Sequence, residues 1–274
     1  MDDTVFHPAR SARMDAPATP YVSEADMATT APSRTGRSES AAAQRRTLRV
    51  LVVTQVLGGV GAAVGLSVGA LLVAGIAGGP GLSGLAPSAV AVGAALLVIP
   101  VTRLMQSRGR RPGLALALGV GALGGGLVVT AAALESVALA IGGMFLFGGG
   151  TAANLQARYT AVDLAEPAHR GRQMSLVVWA TTVGAVAGPN LAAPSDALLR
   201  GYGVPPMTGP FVFSVVAFAV AGVLLVVFLR PDPLLLARRL QVTASGVSGG
   251  SRTMRGALAE VRRNRTALLG VSAV

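Results

Sequence analysis

Charged and apolar residues separate along this chain in blocks rather than alternating. Residues 1–46 mix Ala, Ser, Thr, Arg and Pro with no apolar periodicity. They cannot bury a core and are expected to form a disordered tail. Between Arg49 and Arg103 no residue is charged. That run is too long for one membrane span, and Gly78-Gly79-Pro80-Gly81 breaks it near its middle. It predicts helix 1 over about 49–76 and helix 2 over about 84–105. Three further charge-free runs, 112–134, 136–157 and 173–194, predict helices 3, 4 and 5. The run 201–229 predicts helix 6, which begins near Phe211 because Pro205, Pro206 and Pro210 hold the start in a loop.

Each run has ~20 residues or more, so at ~1.5 Å per residue each crosses a hydrocarbon core ~30 Å thick. Spans of a β-barrel would be ~10 residues long and alternate in polarity, which this pattern excludes. The pattern therefore predicts an all-α integral membrane protein, a six-helix transmembrane bundle over residues 47–230.

Arginine placement sets an orientation. Seven arginines precede or begin helix 1. Arg103, Arg108, Arg110 and Arg111 fall between helices 2 and 3, and Arg158, Arg170 and Arg172 between helices 4 and 5. Eight follow helix 6, and Arg200 alone falls on the opposite side. The positive-inside rule then puts both termini in the cytoplasm, as an even number of spans requires. The expected location is the plasma (cell inner) membrane, multi-pass, with a cytoplasmic N-terminus. Arg45-Arg46 is read as the basic flank of helix 1, not as a twin-arginine signal, because the apolar run behind it is too long.

Composition agrees. Of 274 residues, 52% are apolar and only 13% charged, against ~25% charged in soluble domains. The net charge is +11 and every basic residue is arginine. Those arginines lie between apolar runs, which fits membrane topology and not nucleic-acid binding. Cysteine is absent, and the two histidines, His7 and His169, lie in polar segments. No acidic residue lies mid-span: Glu135 sits at the helix 3–4 turn, and Asp163 and Glu166 in the 4–5 loop. No catalytic residue, metal site or cofactor is assigned, and a membrane-embedded enzyme lacks the convergent groups it needs.

Past helix 6, Pro231-Asp232-Pro233 stops the helix. Residues 231–265 read as a basic cytoplasmic linker. Arg262-Arg263-Asn264-Arg265 precedes nine apolar-rich residues, 266–274, which read as the truncated start of a seventh helix. The chain is thus expected to be a fragment of a longer protein.

The helix 2–3 connection runs Thr102-Arg-Leu-Met-Gln-Ser-Arg-Gly-Arg-Arg-Pro112. It resembles the signature loop of the major facilitator superfamily, a Gly, an Asp-Arg pair, then Gly-Arg-Arg. Gly109, Arg110 and Arg111 match the second part. Thr102, Gln106 and Ser107 stand where the family has Gly, Asp and Arg. The resemblance implies a latch between two halves on the cytoplasmic side, for which Gln106 can hydrogen-bond but cannot supply charge. A plain basic turn is the alternative reading.

Helix 5 carries Gly184-Ala-Val-Ala-Gly188-Pro189, which resembles the Gly-x-x-x-Gly-Pro core of the family's exporter-associated motif. Ordinary close helix packing by Gly184 and Gly188, with a bend at Pro189, is the alternative. Helix 4 carries Gly148-Gly149-Gly150-Thr151-Ala152-Ala153, similar to the end of the family's helix 4 motif. The arginine expected upstream falls near Met144, which argues against a proton-coupled drug exporter. Gly61, Gly65 and Gly69 give helix 1 a smooth packing face.

The resemblance covers about residues 47–274 and implies the first half of a twelve-helix transporter. Each half is built from inverted 3+3 helices, although helices 1–3 and 4–6 show no convincing sequence repeat. Polar residues inside spans face the protein interior or a water-filled cavity. Thr54, Gln55, Asn154, Gln156, Trp179, Thr181, Thr182 and Asn190 are such residues. Of these, Gln55, Asn154, Gln156, Trp179 and Asn190 are the substrate-cavity candidates, and the resemblance favours Gln55 and Asn154. A helix–helix hydrogen bond is the competing role for each. The reading is transport of a small solute by alternating access, with efflux as the direction the helix 5 motif points to. The implied partners are the lipid bilayer, the solute and a missing C-terminal six-helix half. The alternative is a non-transporting membrane scaffold.

Overall fold

The structure is a computed structural model that describes residues 34–199, 201 and 203–244. It is helical, with no strand among the described residues. The long helices are α1 (Arg34–Ala77), α2 (Leu85–Arg108), α3 (Arg110–Ala133), α4 (Val137–Thr160), α5 (Arg170–Leu199) and α6 (Gly209–Phe228), followed by the shorter α7 (Pro233–Ala244). Six of these segments are long and apolar enough to cross a membrane. The six expected spans each correspond to one of them.

The boundaries differ where local chemistry outweighs charge. α1 starts at Arg34, inside the stretch read as a disordered tail. Its early part is fixed by Gln44, a buried side chain whose Nε2 donates to the Ala161 carbonyl at 2.7 Å and to Gln173 Oε1. Polar composition did not reveal that this turn has partners more than a hundred residues away. Residues 1–33 lie outside the described residues. α5 runs through both Pro189 and Pro194 without ending, since a bilayer-length helix with packed neighbours tolerates the lost backbone bonds. Part of the expected linker is helical, as α7, while residues 245–265 and the apolar tail 266–274 lie outside the described residues.

α4 and α1 form the centre. α4 packs on α3 and α2, and α1 on α5 and α6. This is the contact pattern of two inverted three-helix units, with α1, α2 and α3 corresponding to α4, α5 and α6. Small residues allow it. A Cβ on Gly184 of α5 would lie 2.6 Å from the Val56 carbonyl oxygen of α1, and one on Gly59 of α1 would lie 2.8 Å from the Thr181 carbonyl oxygen of α5. The equivalent crossing pairs α4 with α2. There a Cβ on Gly148 would lie 2.5 Å from the Val90 carbonyl oxygen, and one on Gly93 would run into the Phe145 carbonyl. The internal repeat absent from the sequence is thus present as two matched glycine crossings. α2 and α5, the corresponding pair, are the least buried of the six spans.

Candidate functional site

Polar side chains gather at the end of the bundle that carries the arginines. Gln55 of α1 is buried, and its Oε1 accepts from Thr181 Oγ1 of α5 at 3.1 Å. Asn154 of α4 is also buried and packs onto α1 at Gly58, one turn from Gln55; a Cβ there would lie 2.9 Å from Asn154 Oδ1. That Oδ1 has no hydrogen-bond partner among the described residues. Gln55 thus meets Thr181 of α5, and Asn154 of α4 meets α1 one helical turn away. Gln55 lies six residues past Arg49, ~9 Å along the helix axis. Beyond this layer the interior is mainly apolar, with Ser214 buried and donating to the Gly61 carbonyl at 2.6 Å. Phe147 sits against Phe211 and Phe218, with ring centroids 5.7 and 5.3 Å apart.

The other candidates lie elsewhere. Gln156 points from α4 to α2, where its Nε2 donates to Thr102 Oγ1 at 2.8 Å. Trp179 is 63% exposed on α5. Asn190 is exposed and folds back on its own helix, donating through Nδ2 to the Val186 carbonyl at 3.0 Å. Thr54 is buried and bonded to the Leu51 carbonyl. No group of three or more His, Cys, Asp or Glu side chains is placed to hold a metal among the described residues.

The signature-loop residues form a second layer, at the arginine-bearing face. Gly109 separates α2 from α3 with φ +102°, a conformation open to glycine, and it is crowded by the Asp232 carboxylate. Asp232 Oδ2 accepts from the Arg111 backbone N–H at 2.8 Å, and Oδ1 accepts from the Leu234 and Leu235 N–H groups at 3.0 and 3.3 Å. One carboxylate thus satisfies orphan donors at the starts of α3 and α7. Arg110 makes two parallel bonds to Asp163, both side chains being largely buried. Gln106 is exposed, and its backbone carbonyl accepts from Arg238 Nη1 at 2.8 Å. The carboxylates that contact this loop are Asp163 and Asp232.

Sequence reasoning missed Thr102, Asp163, Asp232 and Gly93 as site-forming residues. Asp232 carried a signal, since Asp followed by Pro is a helix start with Asp at the N-cap and Pro at the first position. The others carried none, because their partners lie roughly fifty residues away in the chain.

Residues 75–274 match the profile of the Major Facilitator Superfamily. The chain is 40% identical over 197 residues to the uncharacterized MFS-type transporter YdeG of Bacillus subtilis (strain 168), covering 72% of this chain and 46% of that one. It is 40% identical over 190 residues to the uncharacterized MFS-type transporter YddS of the same organism, covering 69% and 44%. The chain therefore spans about half the length of the curated relatives it matches. No solved structure matches it.

Proposed function

The chain belongs to the Major Facilitator Superfamily, and from that premise we propose that it is the amino-terminal half of a solute transporter that works by alternating access, in the direction of efflux. Its role is transport rather than catalysis, in keeping with relatives named as transporters. The arginine-bearing end faces the cytoplasm of a plasma-membrane protein. A second six-helix bundle docks on the open faces of α2 and α5. The solute sits against Gln55, Asn154 and Thr181.

The observation that carries this reading is the pair of matched crossings, Gly59 with Gly184 and Gly93 with Gly148. Backbones in direct contact make this half stiff. Stiff halves rock as bodies about a shared site, where a loosely packed bundle would deform. Both crossings also leave one face of α2 and of α5 without a neighbour.

The test uses Ala185, an exposed residue midway along α5. In the full-length transporter, a cysteine at this position should react with an impermeant maleimide in right-side-out and in inverted vesicles. Reaction from one side alone, at any exposure time, would contradict alternating access.

A further inference from the structure

The groove where α1 meets the start of α5 is built differently from the Gln55 layer. Two adjoining cavities, of about 460 and 510 Å³, share Leu48, His169, Arg172 and Gln173. Gln44 and Gln173, both lining the larger cavity, bond to each other. Arg45 and Arg172 both line the larger cavity, both are exposed, and neither forms an ion pair among the described residues. The acid in the groove, Glu166, is exposed and lies 3.4 Å from His169 Nδ1.

Below the arginines the lining turns apolar, through Leu48 and Leu176, and ends at Trp179. Trp179 is seven residues beyond Arg172 on α5, ~10 Å along the axis at 1.5 Å per residue. Basic groups at one level with an amphipathic ring ~10 Å deeper match the layering of a membrane interface, headgroups above and the aromatic belt below. At 100° per residue Trp179 also lies well away from Thr181, which turns toward Gln55. The groove and the Gln55 layer therefore use different sides of α5.

We propose that this groove binds the headgroup of an anionic phospholipid, with Arg45 and Arg172 on the phosphate and Leu48, Leu176 and Trp179 against the upper acyl chain. Charge complementarity selects the occupant. Two guanidinium groups with no ion-pair partner among the described residues favour a net-negative headgroup over a zwitterionic one, and the apolar depth favours a lipid over a free anion. The proposal requires that the second half leave the Trp179 side of α5 open, about 120° around the helix from Ala185; it does not depend on orientation, since vesicles of one composition present the same lipid to both ends.

Trp179 is the chain's single tryptophan, so its fluorescence reports on this groove alone. The purified protein is reconstituted into phosphatidylcholine vesicles in which a fixed fraction of lipid is brominated phosphatidylglycerol or brominated phosphatidylcholine. Brominated phosphatidylglycerol should quench Trp179 more strongly, with a relative affinity about fivefold or more in its favour. Arg45→Gln with Arg172→Gln should bring the two lipids level, and so should about 0.5 M salt on the unaltered protein, which guards against a misfolded variant. Equal quenching in the unaltered protein would overturn the proposal. So would the absence of quenching by either lipid, the result expected if another protein segment covers the groove.

Discussion

Arg110 and Asp163, fifty-three residues apart, face each other across the arginine-bearing end of the bundle, Nε to Oδ2 at 2.8 Å and Nη2 to Oδ1 at 3.0 Å. The fork matches the carboxylate edge to edge and ties the start of α3 to the loop after α4. Side-chain exposures of 16% and 11% keep it largely out of water. Asp163→Asn should lower stability by about 2 kcal/mol, because Arg110 keeps a weaker acceptor and loses its counter-charge. Arg110→Lys should cost a similar amount, since an ammonium cannot make the paired contact. Unfolding by sodium dodecyl sulfate, followed by circular dichroism, measures both. Wild-type stability in Asp163→Asn would mean that the pair contributes nothing.

The glycines divide into two groups. Gly184→Leu and Gly188→Leu should abolish transport by the full-length protein while leaving membrane yield intact, because Leu favours insertion but cannot fit against α1. Even Gly184→Ala and Gly148→Ala should each destabilise by about 1–3 kcal/mol, since the added carbon meets backbone that cannot rotate away. Gly119→Ala and Gly126→Ala meet open space and should be neutral or stabilising by up to about 1 kcal/mol. Melting temperatures of the four alanine variants test this directly; a shared shift would deny the crossings any special tightness.

Asp232 serves two helix starts at once. Asp232→Ala should strip acceptors from three N–H groups and cost about 1–2 kcal/mol, and Asp232→Asn about half as much, because one carbonyl oxygen remains. Amide hydrogen exchange should accelerate at Arg111, Leu234 and Leu235 together. Acceleration at Leu234 and Leu235 alone would show that α3 does not depend on this carboxylate.

Asn154 separates folding from function. Its buried Oδ1 has no partner among the described residues, and an unmet buried amide oxygen costs about 1–3 kcal/mol. Asn154→Leu, of similar shape, should therefore match or exceed the native melting temperature. The same change should eliminate solute exchange by the full-length protein, as it removes a polar group beside Gln55. Normal exchange in Asn154→Leu would remove Asn154 from the solute site.

Orientation can be read with single cysteines, because the native chain has none. Ser107 and Glu135 are exposed at opposite ends of the bundle. In intact cells an impermeant maleimide should label a cysteine at Glu135 but not one at Ser107. The reverse result would invert the proposed topology.

The sequence alone determined that the chain forms six apolar spans, where they break and how arginine is shared between their ends. Each of these is a local property: a charge-free run of ~20 residues cannot stay in water, and Gly-Gly-Pro-Gly cannot continue a helix. It also singled out Gly184, Gly188, Gln55, Asn154 and the Gly109-Arg110-Arg111 loop, because polar or side-chain-free positions stand out in an apolar segment. Only the tertiary structure decided what those residues touch. Lipid and protein interior are both apolar, so a span carries almost no stripe to say which side is buried, and Trp179 and Asn154 read alike until α5 and α4 are packed. The partners that matter, Arg110 with Asp163, Arg111 with Asp232 and Gly184 with Val56, are 53 to 128 residues apart. Such pairs are set by the way helices cross, and the crossing depends on where two backbones can approach without a side chain between them.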